Sequence, residues 1–373
     1  MSRENDPQTQ VIIEEKYQPL PLLRDLQHLA ELSEKYQIRT DDIMLIALNC
    51  SGVTSKAVGY ERGRFIAKLP TGEVFLLALT VTNNPLSQFE HNGTQVLFNG
   101  IPVLEATQIE EDTCTDSYWR KGKHHLTLNS NSRSKCVGCD FCGTYSLTRD
   151  DEPLTNPESL RAKVLSLEDE IGGDLLGLES IALVTGCFPT EKALIDHLFL
   201  LRSVFAEFGF AGELSYVGSQ LRDQTAIREI IAGGRFSYYL TIEAFERREQ
   251  LMRRNKASLS VEKGREILNL AKSLGADTSF LYIAGLDSLE GLESGLVRFA
   301  DVVTRMPNIQ TFQVYQPGQI ALRNPAASQL DYYLRTRKIA ESIFPGLLPD
   351  AGLNFRGLWF TSCRDQRLPQ PAL

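Results

Sequence analysis

The feature that most constrains the fold is an alternation of short apolar runs and helical patterns, which begins near residue 124. Six runs have the length and the β-branched and aromatic content of strands: His125–Asn129, Ser180–Thr185, Gly212–Val217, Phe236–Ile242, Thr278–Ile283 and Ile309–Tyr315. Helical patterns lie between them, at 157–171, 190–208, 223–233, 245–274 (broken near Ala257) and 288–305. Repeated βα units predict a parallel sheet, either open and doubly wound or closed into a full or partial barrel. In each case the functional site is expected at the C-terminal ends of the strands.

The region before this alternation has a different pattern. A helical period covers residues 18–36, and four β-like runs separated by turn signals follow: Ile43–Leu48, Arg64–Lys68, Val74–Val81 and Val96–Leu104. They predict a small, mostly antiparallel N-terminal domain in which we find no chemical motif. A linker at Arg323–Ser328 precedes a predicted helix at 329–344. The expected division is therefore 1–120, 121–318 and 319–373.

Charge and hydropathy exclude several classes of protein. The 47 acidic and 39 basic residues give a net charge of −8, which argues against broad binding of nucleic acid. A basic run, Arg247, Arg248, Arg253, Arg254 and Lys256, has interspersed acids and helical spacing, and it is interpreted as a solvated helix face. Apolar runs fall short of the ~20 residues of a membrane span, and the polar N-terminus lacks an export signal, so a cytoplasmic protein is expected.

Three of the seven cysteines fall within seven residues: Cys136, Cys139 and Cys142. Thiolates at the spacing C-x2-C-x2-C suit a cuboidal iron–sulfur cluster, but Ser146 stands where a bacterial ferredoxin would supply its fourth cysteine. One interpretation leaves the fourth iron open for a ligand. The others are closure by a distant cysteine (Cys114, Cys187 or Cys363), a zinc site, or unligated thiols.

The cysteine loop resembles that of the radical SAM superfamily, whose usual pattern is C-x3-C-x-aromatic-C. The run Cys139-Asp140-Phe141-Cys142 matches the second half of the pattern, including the aromatic residue. The first gap has two residues here, not three. As in that family, the loop follows the first strand of the βα series.

The resemblance continues at the ends of later strands. Gly186 and Pro189 match a Gly-Gly-Glu-Pro-like turn that holds the methionine amino group, although an ordinary βα turn is the alternative. Glu243 resembles the acid that contacts the ribose or amino group of S-adenosylmethionine (SAM). Lys256, or Arg254, would then face the carboxylate of SAM. The alternative is that these residues are surface charges.

The fifth and sixth strands supply further candidates. Ile283 and Gly285 match a segment that cradles adenine in the family. Cys187, Tyr282 and Tyr315 lie near strand ends and are candidate catalytic hydrogen donors, with core packing the alternative for both tyrosines.

The resemblance implies a partial (β/α)6 TIM-type barrel with a C-terminal helical or extended extension. It implies a [4Fe–4S] cluster on Cys136, Cys139 and Cys142, and reductive cleavage of SAM to a 5′-deoxyadenosyl radical that abstracts hydrogen from a small molecule. The outcome is an isomerase, lyase, epimerase, decarboxylase or dehydrogenase reaction, with a flavodoxin- or ferredoxin-type electron donor. The alternatives are a non-catalytic iron–sulfur protein for electron transfer or redox sensing, and a zinc-stabilised binding protein.

The N-terminal region is expected to cover the open side of an incomplete barrel, because water would quench a radical. The C-terminal helix and the segment Leu353–Thr361 are expected to share this role and to help form the substrate pocket. The alternative is a tethered partner-binding module.

Overall fold

The computed structural model describes most of the chain, and two β-sheets organise it. The described residues are 22–56, 59, 62–82, 87–112, 117–120, 123–131, 139–143, 154–315, 317–350 and 356–361. The first sheet is a small closed barrel, and the second is a sheet of seven strands with two edges. The chain is of the α/β class, as predicted.

From residue 22 onward, two helices precede the first sheet: α1 (Leu26–Tyr36) and α2 (Thr40–Ser51). The prediction of a strand at Ile43–Leu48 is wrong, because this run forms the centre of α2. All residues from 42 to 50 are buried, so the apolar run has no polar face that would reveal a helical period. The helix signals that the sequence does contain are Asp41 in the first turn and Gly52 after the last.

Six strands form the small barrel in the order β1-β3-β2-β6-β5-β4. They are β1 (Val53–Ser55), β2 (Arg62–Lys68), β3 (Val74–Thr82), β4 (Phe89–His91), β5 (Gln95–Phe98) and β6 (Ile101–Glu111). Four pairings are antiparallel, and β1 closes the barrel by pairing in parallel with both β3 and β4. The mostly antiparallel character is confirmed, whereas the closure was not predicted. The run Val96–Leu104 is two strands, separated by the turn Asn99-Gly100 with φ angles of 49° and 81°.

The second sheet contains the predicted βα series. Its strands are β7 (Tyr118–Arg120), β8 (His125–Leu128), β9 (Ser180–Val184), β10 (Glu213–Gly218), β11 (Phe236–Glu243), β12 (Asp277–Ala284) and β13 (Asn308–Thr311). Strands β8 to β13 are parallel and adjacent in chain order, which confirms all six predicted strands. The unpredicted β7 pairs antiparallel with β8 at one edge. We call this sheet the half-barrel.

Helices follow the parallel strands. They are α3 (Pro157–Ile171), α4 (Glu191–Glu207), α5 (Gln224–Ala232), α6 (Arg248–Leu251), α7 (Arg254–Ala257), α8 (Val261–Ser273), α9 (Leu289–Val297) and α10 (Leu330–Ile343). Side-chain caps fix the starts of five of them, since each cap accepts a hydrogen bond from the backbone N–H three residues later: Asn156, Thr190, Asp223, Ser260 and Ser288. The predicted helix 245–274 is three helices, α6 to α8, and the one predicted to reach 305 ends at Val297. None of the helices in the described ranges is both long and apolar enough to cross a membrane.

The helix α10 joins the N-terminal helices to the end of the described chain. Arg337 forms an ion pair with Asp42 of α2 at 2.6 Å, and the Asp42 side chain is fully buried. The same carboxylate accepts hydrogen bonds from the backbone N–H groups of Phe360 at 3.0 Å and Thr361 at 2.8 Å. One buried carboxylate thus fixes α2, α10 and the segment 356–361 against each other.

Candidate functional site

A pocket of about 240 Å³ lies at the C-terminal ends of the half-barrel strands. Residues at or just beyond the ends of five strands line it: Gly186, Gly218, Glu243, Ile283 and Thr311. Cys139 and Cys142 line the same pocket. The pocket therefore lies where a parallel βα fold is expected to carry its site.

The cysteine loop is held against the segment that follows β11. Cys139 is buried and pairs with Met252 in an isolated β-bridge, while Cys142 is half-buried. The backbone N–H of Cys142 donates to the carbonyl of Cys139 at 2.9 Å, so the two residues share one tight turn. Cys136 lies outside the described residues.

Phe141 lies between these cysteines and anchors the loop. It is buried in a small apolar cluster, of which Cys139, Phe141 and Phe312 line the pocket. The other members of the cluster are Ala244, Leu251, Met252 and Leu286. A loop fixed in this way holds its thiols in place before any ligand binds, which favours metal binding over a mobile thiol pair.

The described part of the cysteine loop offers the sulfur atoms of Cys139 and Cys142 to the pocket as possible metal ligands. Cys187, beyond β9, lines the pocket together with Cys139 and Cys142. Within the described residues, which leave out Cys136, no group of three or more His, Cys, Asp or Glu side chains is placed to hold a metal ion. A third thiol from Cys136 would complete the set that the sequence predicts, and a set of three thiols fits an iron–sulfur cluster.

Glu243 and Lys256 form an ion pair in the pocket wall. The Lys256 Nζ lies 2.6 Å from the Glu243 Oε1, and their side chains are only 18% and 9% exposed. Glu243 has a φ of 69°, uncommon for a residue other than glycine, and the pairing of β11 with β12 shifts register between Thr241 and Glu243. The strand end is therefore bent where the carboxylate enters the pocket.

Arg248 holds the segment between Glu243 and Lys256 in place, although the sequence predicted a solvated helix face at this residue. Its guanidinium donates to four carbonyls: Ile242 at 2.5 Å, Ala244 at 2.6 Å, Lys256 at 3.2 Å and Leu259 at 2.8 Å. Burial lowers the pKa of Arg248 below its usual range. The solvated-face prediction is thus wrong for Arg248, because the chain folds its backbone carbonyls around the side chain.

Two neighbours of Arg248 also bind loops. The Arg247 guanidinium donates to the carbonyl of Leu322 at 3.0 Å and to that of Leu286. Arg253 forms an ion pair at 2.8 Å with Asp140, inside the cysteine loop. The basic run therefore ties together the segments beyond β8, β11, β12 and β13. The side chain of Arg254 lies outside the described residues.

The turn after β9 contributes main-chain groups to the pocket. The N–H of Gly186 donates to the carbonyl of Asn131 at 3.0 Å, and the Asn131 side chain donates to the carbonyl of Cys187 at 3.1 Å. Gln220, which the sequence analysis missed, donates to the carbonyl of Phe188 and accepts from its N–H, both at 2.9 Å. Gly186 and Cys187 line the pocket, whereas Pro189 is exposed and is not among the lining residues described.

Two other predicted residues are buried in packing beside the pocket. Tyr282 is fully buried, stacks on Phe245 with ring centroids 5.0 Å apart, and donates its hydroxyl to Asp287 at 3.0 Å. Burial raises the pKa of Asp287 to about 6. Gly285 has a φ of 115°, and a Cβ there would lie 3.0 Å from Phe312, so glycine is required by backbone conformation and packing. Neither Tyr282 nor Gly285 is among the lining residues described.

Tyr315 does line the pocket, and it contacts two arginines that the sequence analysis did not single out. The Arg62 guanidinium lies over its ring, 4.6 Å from the centroid. Arg356 donates to its hydroxyl at 2.9 Å, and that hydroxyl donates to Gln313 at 2.8 Å. Residues 62 and 356 come from the small barrel and the C-terminal segment, so both regions contribute to the pocket, as expected.

Comparison with known proteins gives weak structural likenesses. No protein-family model and no curated protein matches the chain. Streptococcus suis SuiB bound to S-adenosylmethionine is 14% identical with a TM-score of 0.37, over 51% of this chain and 40% of SuiB. For methylornithine synthase (PylB) the identity is 17% and the TM-score 0.44, over 62% of this chain and 68% of PylB. For the cobalamin-dependent S-adenosylmethionine radical enzyme OxsB the values are 14% and 0.31, over 58% and 31%. This chain thus covers less than half of SuiB and of OxsB, and the function proposed below rests on the residues of the pocket.

Proposed function

We propose that this chain is a radical SAM enzyme, in which Cys136, Cys139 and Cys142 hold a [4Fe–4S] cluster and the pocket binds SAM. The observation that carries the proposal is that residues far apart in the sequence line one pocket. Cys139 and Cys142 line it together with the Glu243–Lys256 pair, at the C-terminal ends of six parallel strands. The C-x2-C-x2-C spacing supports the cluster, and the paired charges support a zwitterionic ligand.

Glu243 and Lys256 each bind a different part of SAM in this proposal. When bound, the cluster and SAM supply one-electron cleavage to methionine and a 5′-deoxyadenosyl radical, which takes hydrogen from a small-molecule substrate. Glu243 accepts from the amino or ribose groups of SAM, and Lys256 pairs with its carboxylate. Glu243 and Lys256 already form an ion pair at 2.6 Å. When zwitterionic SAM binds, each of the two side chains pairs with the opposite charge of SAM, so neither is left uncompensated.

Shielding from water is the task we assign to the small barrel. Arg62, Leu76 and Asp112 line the pocket together with the cysteines, as does Arg356 of the C-terminal segment. A covered pocket excludes water from a reactive intermediate, which supports radical chemistry. The electron would come from a flavodoxin- or ferredoxin-type protein.

Anaerobic reconstitution with iron and sulfide tests the proposal. Wild-type protein should be brown, hold about four irons per chain, and form 5′-deoxyadenosine from SAM with dithionite. The variant with Cys136, Cys139 and Cys142 all changed to Ala should lose both properties. Cys50→Ala is the matched control, because Cys50 is buried in α2, and burial raises its pKa to about 12. Iron content equal in the triple variant and in the control, or a colourless zinc protein, would sink the proposal.

Cys187 decides between an open and a closed cluster. It is the described cysteine outside the loop that lines the pocket, so it can act as a fourth ligand or as a hydrogen donor. An open iron predicts that Cys187→Ala keeps about four irons and still forms 5′-deoxyadenosine. Loss of iron in this variant would instead favour a closed, electron-carrying cluster.

A further inference from the structure

A buried glutamine beyond β13 binds the cysteine loop. Gln319 lies in a short 3₁₀-helix, Pro317–Leu322, and is only 5% exposed. Both ends of its side-chain amide are used, since Nε2 donates to the carbonyl of Asp140 at 3.0 Å and Oε1 accepts from the N–H of Tyr315 at 2.8 Å. One side chain therefore joins the cysteine loop to the chain that leaves the last strand of the half-barrel.

The ring of Tyr315 lies against the end of the same loop. Gly143 directly follows Cys142, and a Cβ at Gly143 would lie 3.0 Å from two ring carbons of Tyr315. Carbon atoms in contact are normally about 3.5–4.0 Å apart, so a side chain at this position would displace the ring. Glycine is required here by the close approach of the tyrosine, and Tyr315 and Gln319 thus contact the loop at two separate points.

Asp140 is the residue of the loop at which most of these contacts meet. Its N–H donates to the carbonyl of Leu251 at 2.9 Å, and its carboxylate forms an ion pair with Arg253 at 2.8 Å. Both of these partners belong to the segment beyond β11, whereas Gln319 binds the Asp140 carbonyl from the segment beyond β13. Because Asp140 lies between the two described cysteines of the loop, these contacts fix the backbone that carries both thiols.

The contacts of Tyr315 extend from the loop to the pocket wall. Arg356 donates to its hydroxyl at 2.9 Å, and the Arg62 guanidinium lies over its ring at 4.6 Å from the centroid. Both arginines line the pocket, Arg62 from the small barrel and Arg356 from the C-terminal segment. The same tyrosine thus contacts the cysteine loop and the residues that these two regions bring to the pocket.

We infer that Gln319 and Tyr315 are positioning residues for the cysteine loop, and that Gln319 acts through the carbonyl of Asp140. The inference rests on the proposed function, since it concerns the loop that would hold the cluster. A loop attached only to the segment beyond β11 could turn about that attachment. The second attachment, beyond β13, removes this freedom and keeps the thiols at the pocket. Contacts of this kind orient the ligands of a metal and tune its properties.

Cysteine labelling of the purified full-length chain, before reconstitution, tests the inference. Iodoacetamide is added at alkaline pH, and the labelling rate of each cysteine is measured on its peptide by mass spectrometry. Gln319→Leu keeps the approximate size of the side chain but loses both hydrogen bonds, so the buried Cys139 should be labelled about 5- to 30-fold faster. Cys50, which is buried in α2, reports overall unfolding, and its rate should stay at the wild-type value.

Two further variants separate positioning from packing. Gln319→Glu keeps the shape and the acceptor for the N–H of Tyr315, but it places a carboxylate oxygen against the carbonyl of Asp140. It should release Cys139 as Gln319→Leu does, and it replaces that variant where Gln319→Leu does not fold. Gly143→Ala displaces the ring of Tyr315 and should also speed the labelling of Cys139.

Gln88→Leu is the matched control. The Gln88 side chain also donates to a backbone carbonyl, that of Leu23 at 2.5 Å, and it is half-buried. It belongs to the segment before β4, and its loss should leave the labelling rate of Cys139 at the wild-type value.

The reconstituted protein gives a readout that a purely structural role would not change. Gln319→Leu should retain about four irons per chain, but the midpoint potential and the electron paramagnetic resonance spectrum of its reduced cluster should differ from those of wild type. Gln88→Leu should match wild type in both.

Three results would overturn the inference. The first is a wild-type labelling rate of Cys139 in Gln319→Leu and Gln319→Glu. The second is equal acceleration at Cys139 and Cys50, which would indicate a loss of overall stability. The third is an unchanged potential and spectrum in loaded Gln319→Leu. Labelling uses neither iron nor SAM, so a chain that forms no cluster would refute the proposed function, while the labelling rates would still decide whether Gln319 holds the loop.

Discussion

Removal of the Arg248 guanidinium should loosen the segment that carries both charges of the proposed SAM site. Arg248 donates four hydrogen bonds, to the carbonyls of Ile242, Ala244, Lys256 and Leu259. A bond from a charged donor contributes about 1 kcal/mol or more, and the low figure applies to this half-buried side chain. Arg248→Met should therefore lower the free energy of unfolding by about 4 kcal/mol. Arg248→Lys, whose single nitrogen reaches part of the set, should lower it by about 2 kcal/mol.

The assay is guanidinium-induced unfolding of the purified chain, with Arg161→Met as control. Arg161 forms an exposed pair with Glu207, so its loss should lower the free energy of unfolding far less than the loss of Arg248 does. Glu243 and Lys256 lie near the two ends of the fastened segment, so Arg248→Lys should also weaken SAM binding by the reconstituted protein. A loss in Arg248→Met no larger than in the control would refute the reasoning, because the four carbonyls would then have other donors.

Three other sites give measurable expectations. E243Q and K256M should each weaken SAM binding about ten-fold or more, measured by equilibrium dialysis, with iron content unchanged. D42N should cost about 3 kcal/mol in chemical unfolding, because the fully buried carboxylate loses its charge and Arg337 keeps its ion pair with Glu341 but loses the one with Asp42. Burial lowers the pKa of His197 from 6.5 to about 4. Between pH 4 and pH 6.5 the unfolded chain binds one more proton than the folded chain does. The contribution of His197 to the free energy of unfolding is therefore complete above pH 6.5 and falls by about 3 kcal/mol as the pH drops to 4. H197N should remove this part of the pH dependence.

Matched changes elsewhere on the chain are the controls for these predictions. K263M removes an exposed lysine of α8 and should leave SAM binding unchanged. D41N removes an acid of α2 that is paired at the surface and should cost less than 1 kcal/mol. Equal effects in a variant and its control would contradict the corresponding prediction.

The half-barrel was predictable because its signals are local. Each strand is a short apolar run, and a capped helix with a clear apolar face follows most of them, so length and periodicity agree. The run Ile43–Leu48 failed for the opposite reason, since a helix buried on every side has no period. The closing contacts of β1 with β3 and β4 join residues far apart in the chain, and no local pattern encodes them.

The candidate site was predictable in part. Cysteine spacing and the acid at the end of β11 led to Cys139, Cys142 and Glu243, which do line one pocket. Arg62 and Arg64, which also line the pocket, were missed because they look like ordinary solvent-facing positions of a strand. Their burial depends on a second sheet packed against that face. The spacing of two residues places both arginines on one face of the strand. That spacing points to a site only when this outer face of the small barrel is known to be covered.

The pairing of Asp42 with Arg337 sets an order of events during synthesis of the chain. The two residues are 295 positions apart. At roughly 5–20 residues per second, the ribosome needs about 15–60 s to reach Arg337 after it has added Asp42. All six strands of the small barrel end by residue 111, so they can assemble within that interval. The ion pair between the buried Asp42 carboxylate and Arg337 can therefore form only after all six strands of the small barrel have been synthesised.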